Sequence, residues 1–175
     1  MTISLDTIRL VTAVDDSPDT SFLGEYTDRA SPWAIVRDAG EYLANLGDDY
    51  ELPRRGREFR FFVPYAGGEK AGTPAYQEYG KSDFERMEGL NRGDWHFVGI
   101  YAQAEVSYPL SRDGCRRIER FRSGGLWGIE SDGGDHFFQV AEGQLQELKQ
   151  HLAVFGVDLA SFDELAADAN EALSV

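Results

Sequence analysis

The alternation of residue types between Asp94 and Tyr108 constrains the fold more than any other feature of the sequence. Every second position is aliphatic, at Val98, Ile100, Ala102, Ala104 and Val106. The positions between them change from aromatic to polar along the segment. Successive side chains of a strand point to opposite faces, so this strand is apolar on both faces at its start and on one face at its end. The segment therefore predicts a long strand that is central in its sheet at one end.

A hairpin follows this strand. Ser111–Gly114 has the Asp-Gly chemistry of a tight connection, and Arg116–Arg122 is predicted to return as an antiparallel strand. Four of its seven residues are arginine, namely Arg116, Arg117, Arg120 and Arg122. Charged side chains protect a sheet edge from pairing with other chains, so the pattern favours a solvated edge strand.

The next stretch, Ser123 to Ser131, reads Ser-Gly-Gly-Leu-Trp-Gly-Ile-Glu-Ser and carries no charge before Glu130. We expect it to join the β-rich body to the C-terminal helices, with a structural motif formed by Gly124, Gly125, Trp127, Gly128 and Glu130. Glycine and tryptophan supply backbone freedom and packing rather than proton transfer, which favours architecture over catalysis. The alternative is a ligand-binding or catalytic pocket beside Trp127, with His136, Glu130 or Arg122 converging on it.

Helix signals occur in three places. Ser82-Asp83-Phe84-Glu85 has the form of a capping box, and Gly93 can end the helix that follows. A second helix is expected from Ser131–Asp135 to Gly156, with apolar residues at helical spacing. Ser161–Glu164 is another capping box and predicts a short terminal helix.

The N-terminal half gives weaker signals. Ile3–Val14 suits a strand, and Phe22–Arg29 suits an ordered loop or short strand with Phe22, Leu23 and Tyr26 turned inward. Further predicted elements are a strand at Trp33–Val36 (with a helix as alternative), a helical turn at Glu41–Leu46 and a strand at Arg57–Val63.

These elements predict an α+β fold with an antiparallel sheet of about four to five strands, one inserted helix and a C-terminal helical pair packed on the sheet. Residues 1–175 are expected to form a single domain, because this length is typical of one. Within it, residues 1–130 would be β-rich with a helix near 82–92, and residues 132–175 would form the helical tail.

The net charge of −14 is unevenly distributed. Residues 1–51 and 131–175 each carry −8, whereas residues 52–130 carry +2. Such a chain should repel nucleic acids and anionic membranes over most of its surface, so neither is expected as a direct partner. The acidity either serves solubility or offers carboxylates to a basic partner. The candidate partner-binding acids are Asp163, Glu164, Asp168 and Glu171.

The four arginines of the predicted edge strand are a second candidate surface. Together with Arg54, Arg55, Arg57 and Arg60 they could form a basic stripe. Such a stripe could bind phosphate, a nucleic-acid backbone or an acidic partner, or pair with carboxylates of the same chain or of a second copy. We favour the internal or self-pairing interpretation, because the far field of the protein is negative.

The sequence carries no recognisable catalytic, metal or cofactor signature. His96, His136 and His151 lack zinc-site spacing, the single cysteine, Cys115, has no indicated base partner, and the glycines match no nucleotide-binding pattern. We therefore predict no catalytic residue, metal or cofactor. The N-terminus lacks the features of a signal peptide and no apolar run approaches membrane-spanning length, so we expect a cytoplasmic protein.

Four stretches together resemble a family of small hypothetical proteins of bacteriophages and mobile elements. They are Glu25–Arg29, Asp83–Glu88, Gly93–Ile100 leading into Ala104-Glu105-Val106, and Ser123–Asp132. The family has no assigned activity. The resemblance covers residues from about 20 to about 157 and implies an accessory protein that acts in the cytoplasm of an infected bacterial cell.

From this resemblance, the acidity and the missing catalytic signature, we expect a non-catalytic protein that binds another protein. Its most concrete form is an anti-defence inhibitor, anti-restriction or anti-CRISPR, whose carboxylates mimic DNA phosphates on a nucleic-acid-binding host component. The alternatives are an enzyme or small-ligand binder and a homo-oligomeric structural or replication accessory protein.

Overall fold

A computed structural model describes residues 3–37, 60–110 and 115–173 of the chain. The fold is α+β, as the sequence predicts. The chain divides into two compact units: a first unit formed by Met1–Asp15 and Phe97–Val175, and a second unit formed by Asp16–His96. The expectation of a single domain stays a prediction, and we describe each unit by itself.

Four strands form the open antiparallel sheet of the first unit: β1 (Ser4–Val14), β5 (Phe97–Pro109), β6 (Arg116–Arg122) and β7 (Leu126–Glu130). The alternating segment is the central strand β5, as predicted, and pairs along one side with β1. On its other side, β6 pairs with the C-terminal half of β5 and β7 with the N-terminal end. The predicted strand is therefore confirmed as β6, which lies at the edge of the sheet among the described residues, and the stretch after it is itself a strand.

Two helices, α2 (Asp135–Val154) and α3 (Phe162–Leu173), pack with one face of this sheet in an apolar core. The aliphatic positions of β5 supply the sheet side of that core, and Ile100 and Val106 are fully buried. Leu148 and Leu152 of α2 and Phe162 of α3 share one buried cluster with Val106, whereas Ile100 packs with Val140 and Ala141 of α2. The C-terminal helical pair is thus present where its periodicity predicts it.

The second unit contains a three-stranded antiparallel sheet in the order β2-β4-β3, with β2 (Gly24–Thr27), β3 (Ile35–Val36) and β4 (Phe61–Pro64). A helix, α1 (Pro74–Arg92), contacts β4. Phe62 is the fully buried residue of β4 and lies against the rings of Tyr26 and Phe84.

The predicted start of α1 is wrong. The helix begins at Pro74, with Thr73 as N-cap, whose hydroxyl accepts a hydrogen bond from Tyr76 N. The Ser-Asp-Phe-Glu pattern therefore lies within the helix, and the carboxylate of Asp83 instead accepts a bond from Ala66 N at 2.6 Å. Pro74 fits the first helical turn because its missing N–H is unpaired there anyway. The predicted end is confirmed, since Gly93 takes a left-handed conformation after Arg92.

Other predictions of the N-terminal half are settled only in part. The strand at Ile3–Val14 is confirmed as β1. Leu23 is buried as expected, but Phe22 is exposed on 46% of its surface and does not turn inward. The turn at Glu41–Leu46, the start of the strand at Arg57–Val63 and the connection Ser111–Gly114 lie outside the described residues.

Candidate functional site

The first unit has an open face, the side of its sheet opposite to the helices. Its members from β5, β6 and β7 are Tyr101, Gln103, Glu105, Ile118, Arg120, Arg122 and Trp127. Tyrosine, tryptophan and arginine are the residue types enriched in binding hot spots, since they combine a large apolar surface with polar groups. This composition makes the open face a candidate interaction surface.

Trp127 lies on the open face and is exposed on 53% of its surface. Its ring occupies the space above Gly99, where an added Cβ would be only 2.4 Å from Trp127 Cε3. Two residues of β7, Trp127 and Gly128, stand opposite the single residue Gly99, and Gly128 has a positive φ of 76°. This is the geometry of a β-bulge, which re-aims the side chains of a strand. The glycine that makes room for Trp127 is thus in β5, outside the predicted motif.

Two arginines of β6 are held on the open face by partners in β5. Arg122 Nε donates to Gln103 Oε1 at 3.0 Å, and its guanidinium carbon lies 5.2 Å from the ring centre of Tyr101. Arg120 Nε donates to Glu105 Oε1 at 2.9 Å. The prediction that the arginines pair with carboxylates of the same chain holds for Arg120, and for Arg117, which contacts Glu119 at 2.6 Å.

The glycines of the predicted motif anchor the connection between β6 and β7 to α2. Gly124 N donates to Glu147 Oε1 and Gly125 N to Gln144 Oε1, each at 2.9 Å. Gly125 has a φ of 79°, a conformation that favours glycine. These bonds tie the connection to α2, while Trp127 is exposed on the sheet surface, and the architectural role of the motif stays a prediction.

The outer edge of β6 carries no further strand within the described residues. Cys115 O accepts from Leu110 N, and Ser123 N donates to Ala102 O. In this register the odd-numbered residues of β6 bond to β5, so the even-numbered residues direct their backbone groups outward. One of these outward groups, the carbonyl of Arg122, lies 3.3 Å from His151 Nδ1 of α2.

The outward side of α3 carries a second feature, an acidic stripe formed by Glu164, Asp168 and Glu171. All three residues are exposed, and their spacing of four and three residues places them on one helical face. Within the described residues the stripe forms no ion pair, whereas Asp163, the fourth predicted acid, contacts Lys149 Nζ at 2.6 Å. The opposite side of α3 is anchored in the core through Phe162 and Ala169.

The second unit contains a buried polar network that the sequence analysis missed. Arg37 Nε lies 2.8 Å from Glu88 Oε1, and the side chains of both residues are 4% exposed. The Tyr26 hydroxyl donates to the same Glu88 oxygen at 2.7 Å and accepts a bond from Asn91 Nδ2. Burial, and next the bond to Glu88, raise the pKa of Tyr26 well above its usual value. The cluster therefore holds Tyr26 as a neutral hydrogen-bond donor.

A signal for this network does exist in the sequence. Glu88 and Asn91 follow Phe84 at spacings of four and seven residues, so they share the buried stripe of α1. A charged residue on an apolar stripe predicts a buried partner. That partner, Arg37, is distant in the sequence, and no local pattern identifies it.

The remaining candidate residues are not gathered into a reactive centre. His136 and Cys115 are both exposed. Among the described residues, no group of three or more histidine, cysteine, aspartate or glutamate side chains is placed to hold a metal ion.

The comparisons with known proteins give no relative. No protein-family model, no curated protein and no solved structure matches the chain. In the part of the chain that the structure describes, no helix is both long and apolar enough to span a membrane.

Proposed function

We propose that this protein is a non-catalytic binding protein that docks on a basic surface of another protein through the acidic stripe of α3. The observation that carries the proposal is that three exposed carboxylates lie on one face of a single helix and form no ion pair with the described residues. Several other exposed carboxylates of the described chain, by contrast, have a basic neighbour, such as Asp94 with Arg92 at 2.7 Å and Asp163 with Lys149.

The placement of the stripe supports this role. A helix rises about 1.5 Å per residue, so Glu164 and Glu171 are about 10 Å apart along its axis. Because α3 packs into the core, the three carboxylates are presented on a fixed element rather than on a loop. The net charge of −14 would steer a basic protein toward the chain and repel acidic ones.

The most specific version of the proposal is mimicry of a nucleic-acid backbone on a host DNA-binding or RNA-binding defence component in the bacterial cytoplasm. The resemblance to phage and mobile-element proteins motivates that context and stays a prediction. A ligand pocket beside Trp127 and a homo-oligomeric accessory role likewise stay predictions.

The test compares two variants with the same change of charge. The stripe variant carries Glu164→Gln, Asp168→Asn and Glu171→Gln, and the control carries the exposed substitutions Asp28→Asn, Glu69→Gln and Glu78→Gln in the second unit. Each protein is immobilised and incubated with nuclease-treated bacterial lysate at low salt. Retained proteins are identified by mass spectrometry and then challenged with duplex DNA.

We expect the wild type and the control to retain a basic nucleic-acid-binding protein that DNA displaces. The stripe variant should bind the purified partner at least about tenfold more weakly than the control, because charge-assisted contacts are each worth about 1.5–3 kcal/mol. Retention of no basic protein, or equal binding by the two variants, would contradict the proposal.

A further inference from the structure

The outer edge of β6 offers open backbone groups and an exposed aliphatic side chain, while its arginines protect it from non-specific pairing. Its even-numbered residues direct backbone N–H and C=O groups outward, which makes the edge a template for another strand. Ile118 lies on the open face of this edge and is exposed on 62% of its surface. An exposed aliphatic side chain beside open backbone groups indicates that an occupant of this edge would bury apolar area.

The charges at the edge restrict what this occupant can be. Arg116, Arg120 and Arg122 share the open face with Ile118, because they alternate with the residues that bond to β5. A second β6 strand pairing antiparallel about its centre would place Arg116 opposite Arg122, and like charges directly opposite each other are destabilising. The arginines therefore disfavour pairing with a second copy and favour an acidic strand.

We propose that the outer edge of β6 binds an extended acidic segment of a partner protein as an added strand. Acidic side chains at alternate positions of this segment would meet the three arginines of the open face. Its backbone would pair with the outward groups of Arg116, Ile118 and Arg120, while the carbonyl of Arg122 keeps its contact with His151. This surface is separate from the acidic stripe, so it is an activity beyond the proposed function.

The negative net charge does not exclude this binding mode. At physiological ionic strength the Debye length is about 8 Å, so distant carboxylates are largely screened at the contact. The local arginines are partly preorganised, since Gln103 and Glu105 each hold one guanidinium through Nε. Both guanidinium groups keep terminal N–H donors for the carboxylates of an added strand.

The binding probe is a fluorescein-labelled peptide of about ten residues that alternates aspartate and threonine, long enough to cover β6. A second peptide of the same sequence carries an N-methyl group on every backbone amide, which preserves the charge and removes the backbone donors. A single-stranded oligonucleotide of matched charge tests simple anion binding. Fluorescence anisotropy against the full chain measures each affinity.

Two variants of β6 test the site itself. Arg116→Gln combined with Arg120→Gln removes two of the facing charges, and its matched control combines Lys70→Gln with Lys81→Gln, both exposed in the second unit. Ile118→Pro removes one outward N–H while leaving the bonds to β5 in place, as edge strands tolerate. Circular dichroism verifies that each variant is folded, and the arginine variant keeps the test decisive if the proline variant is not.

We expect the aspartate–threonine peptide to bind at least about tenfold more tightly than its N-methylated form. The arginine variant should lose about tenfold or more in affinity for it, and the lysine control should bind as the wild type does. Equal affinity for the N-methylated peptide, tighter binding of the oligonucleotide, or an unchanged affinity of the arginine variant would each overturn the proposal.

Discussion

The two units build their interiors from different chemistry. The core of the first unit is aliphatic and aromatic, with Ile100, Leu148 and Phe162 nearly or fully buried. The second unit buries Phe62, but it also buries the charged pair Arg37 and Glu88. An apolar core gains from every group it removes from water, whereas a buried ion pair is favourable only while both partners are present. The units should therefore differ most in their response to the loss of one polar atom.

The largest expected effect comes from Glu88→Gln. This substitution keeps the shape of the side chain and removes its charge, so the buried guanidinium of Arg37 loses the carboxylate of Glu88. Breaking a buried pair in this way costs about 3–5 kcal/mol of unfolding free energy. Amide hydrogen exchange should show the loss of protection in α1 of the second unit, with much less change in α2 of the first.

The same helix provides the control. Glu85, three residues earlier, contacts Lys81 at 3.6 Å with both side chains largely exposed. Glu85→Gln should cost less than about 1 kcal/mol, because exposed pairs contribute little. Similar hydrogen-exchange profiles for Glu85→Gln and Glu88→Gln would contradict the predicted sensitivity of the second unit to the loss of one buried charge.

The difference between an apolar core and a buried polar network also explains which helices and strands the sequence predicts and which it does not. Period-two and helical patterns indicate β5 and α2 correctly, because a one-sided apolar core requires those patterns. The start of α1 is missed because both Thr73-Pro74 and Ser82 to Glu85 are valid start signals. The bond that Thr73 accepts from Tyr76 N and the bond that Asp83 accepts from Ala66 N show which one the fold uses.

The sequence likewise predicts some features of the candidate surfaces and misses others. The acids of α3 and the arginines of β6 are visible in the sequence, since composition alone marks them. The position of Trp127 on Gly99 and the pairing of Arg37 with Glu88 depend on contacts between distant segments. No local propensity encodes such contacts.

A smaller effect is expected at Gly99, where the first unit is tightly packed on its open face. In Gly99→Ala the new methyl group would collide with the ring of Trp127, so the indole must move. Such overpacking costs roughly 1–3 kcal/mol. In a Trp127→Ala background the same substitution should cost at least about 1 kcal/mol less, which urea denaturation of the four proteins would measure as a double-mutant cycle.

Gly143→Ala is the matched control for this cycle. Gly143 lies in α2, and an added Cβ would have no atom within 4 Å. Alanine there should stabilise the helix by about 0.5–1 kcal/mol, because glycine is a poor helix former. Additive effects of Gly99→Ala and Trp127→Ala would show that the indole does not rest on Gly99 in solution.

The smallest effect concerns Asp83 and the pH dependence of the second unit. Burial raises the pKa of Asp83, although its bond from Ala66 N acts in the opposite direction. The folded state therefore binds this proton more tightly than the unfolded state, whose aspartate pKa is about 3.9. Stability attributable to Asp83 is thus fully present below that value and is lost as the pH rises through the raised folded pKa.

In Asp83→Asn this loss cannot occur, while the amide oxygen can still accept the bond from Ala66 N. The unfolding free energy of the variant minus that of the wild type should therefore be larger at about pH 7 than at about pH 3, because Asp83 titrates between these pH values. Urea denaturation at both pH values measures the difference, and a difference that stays constant or shrinks as the pH rises would show that the carboxyl group is not desolvated in the folded protein.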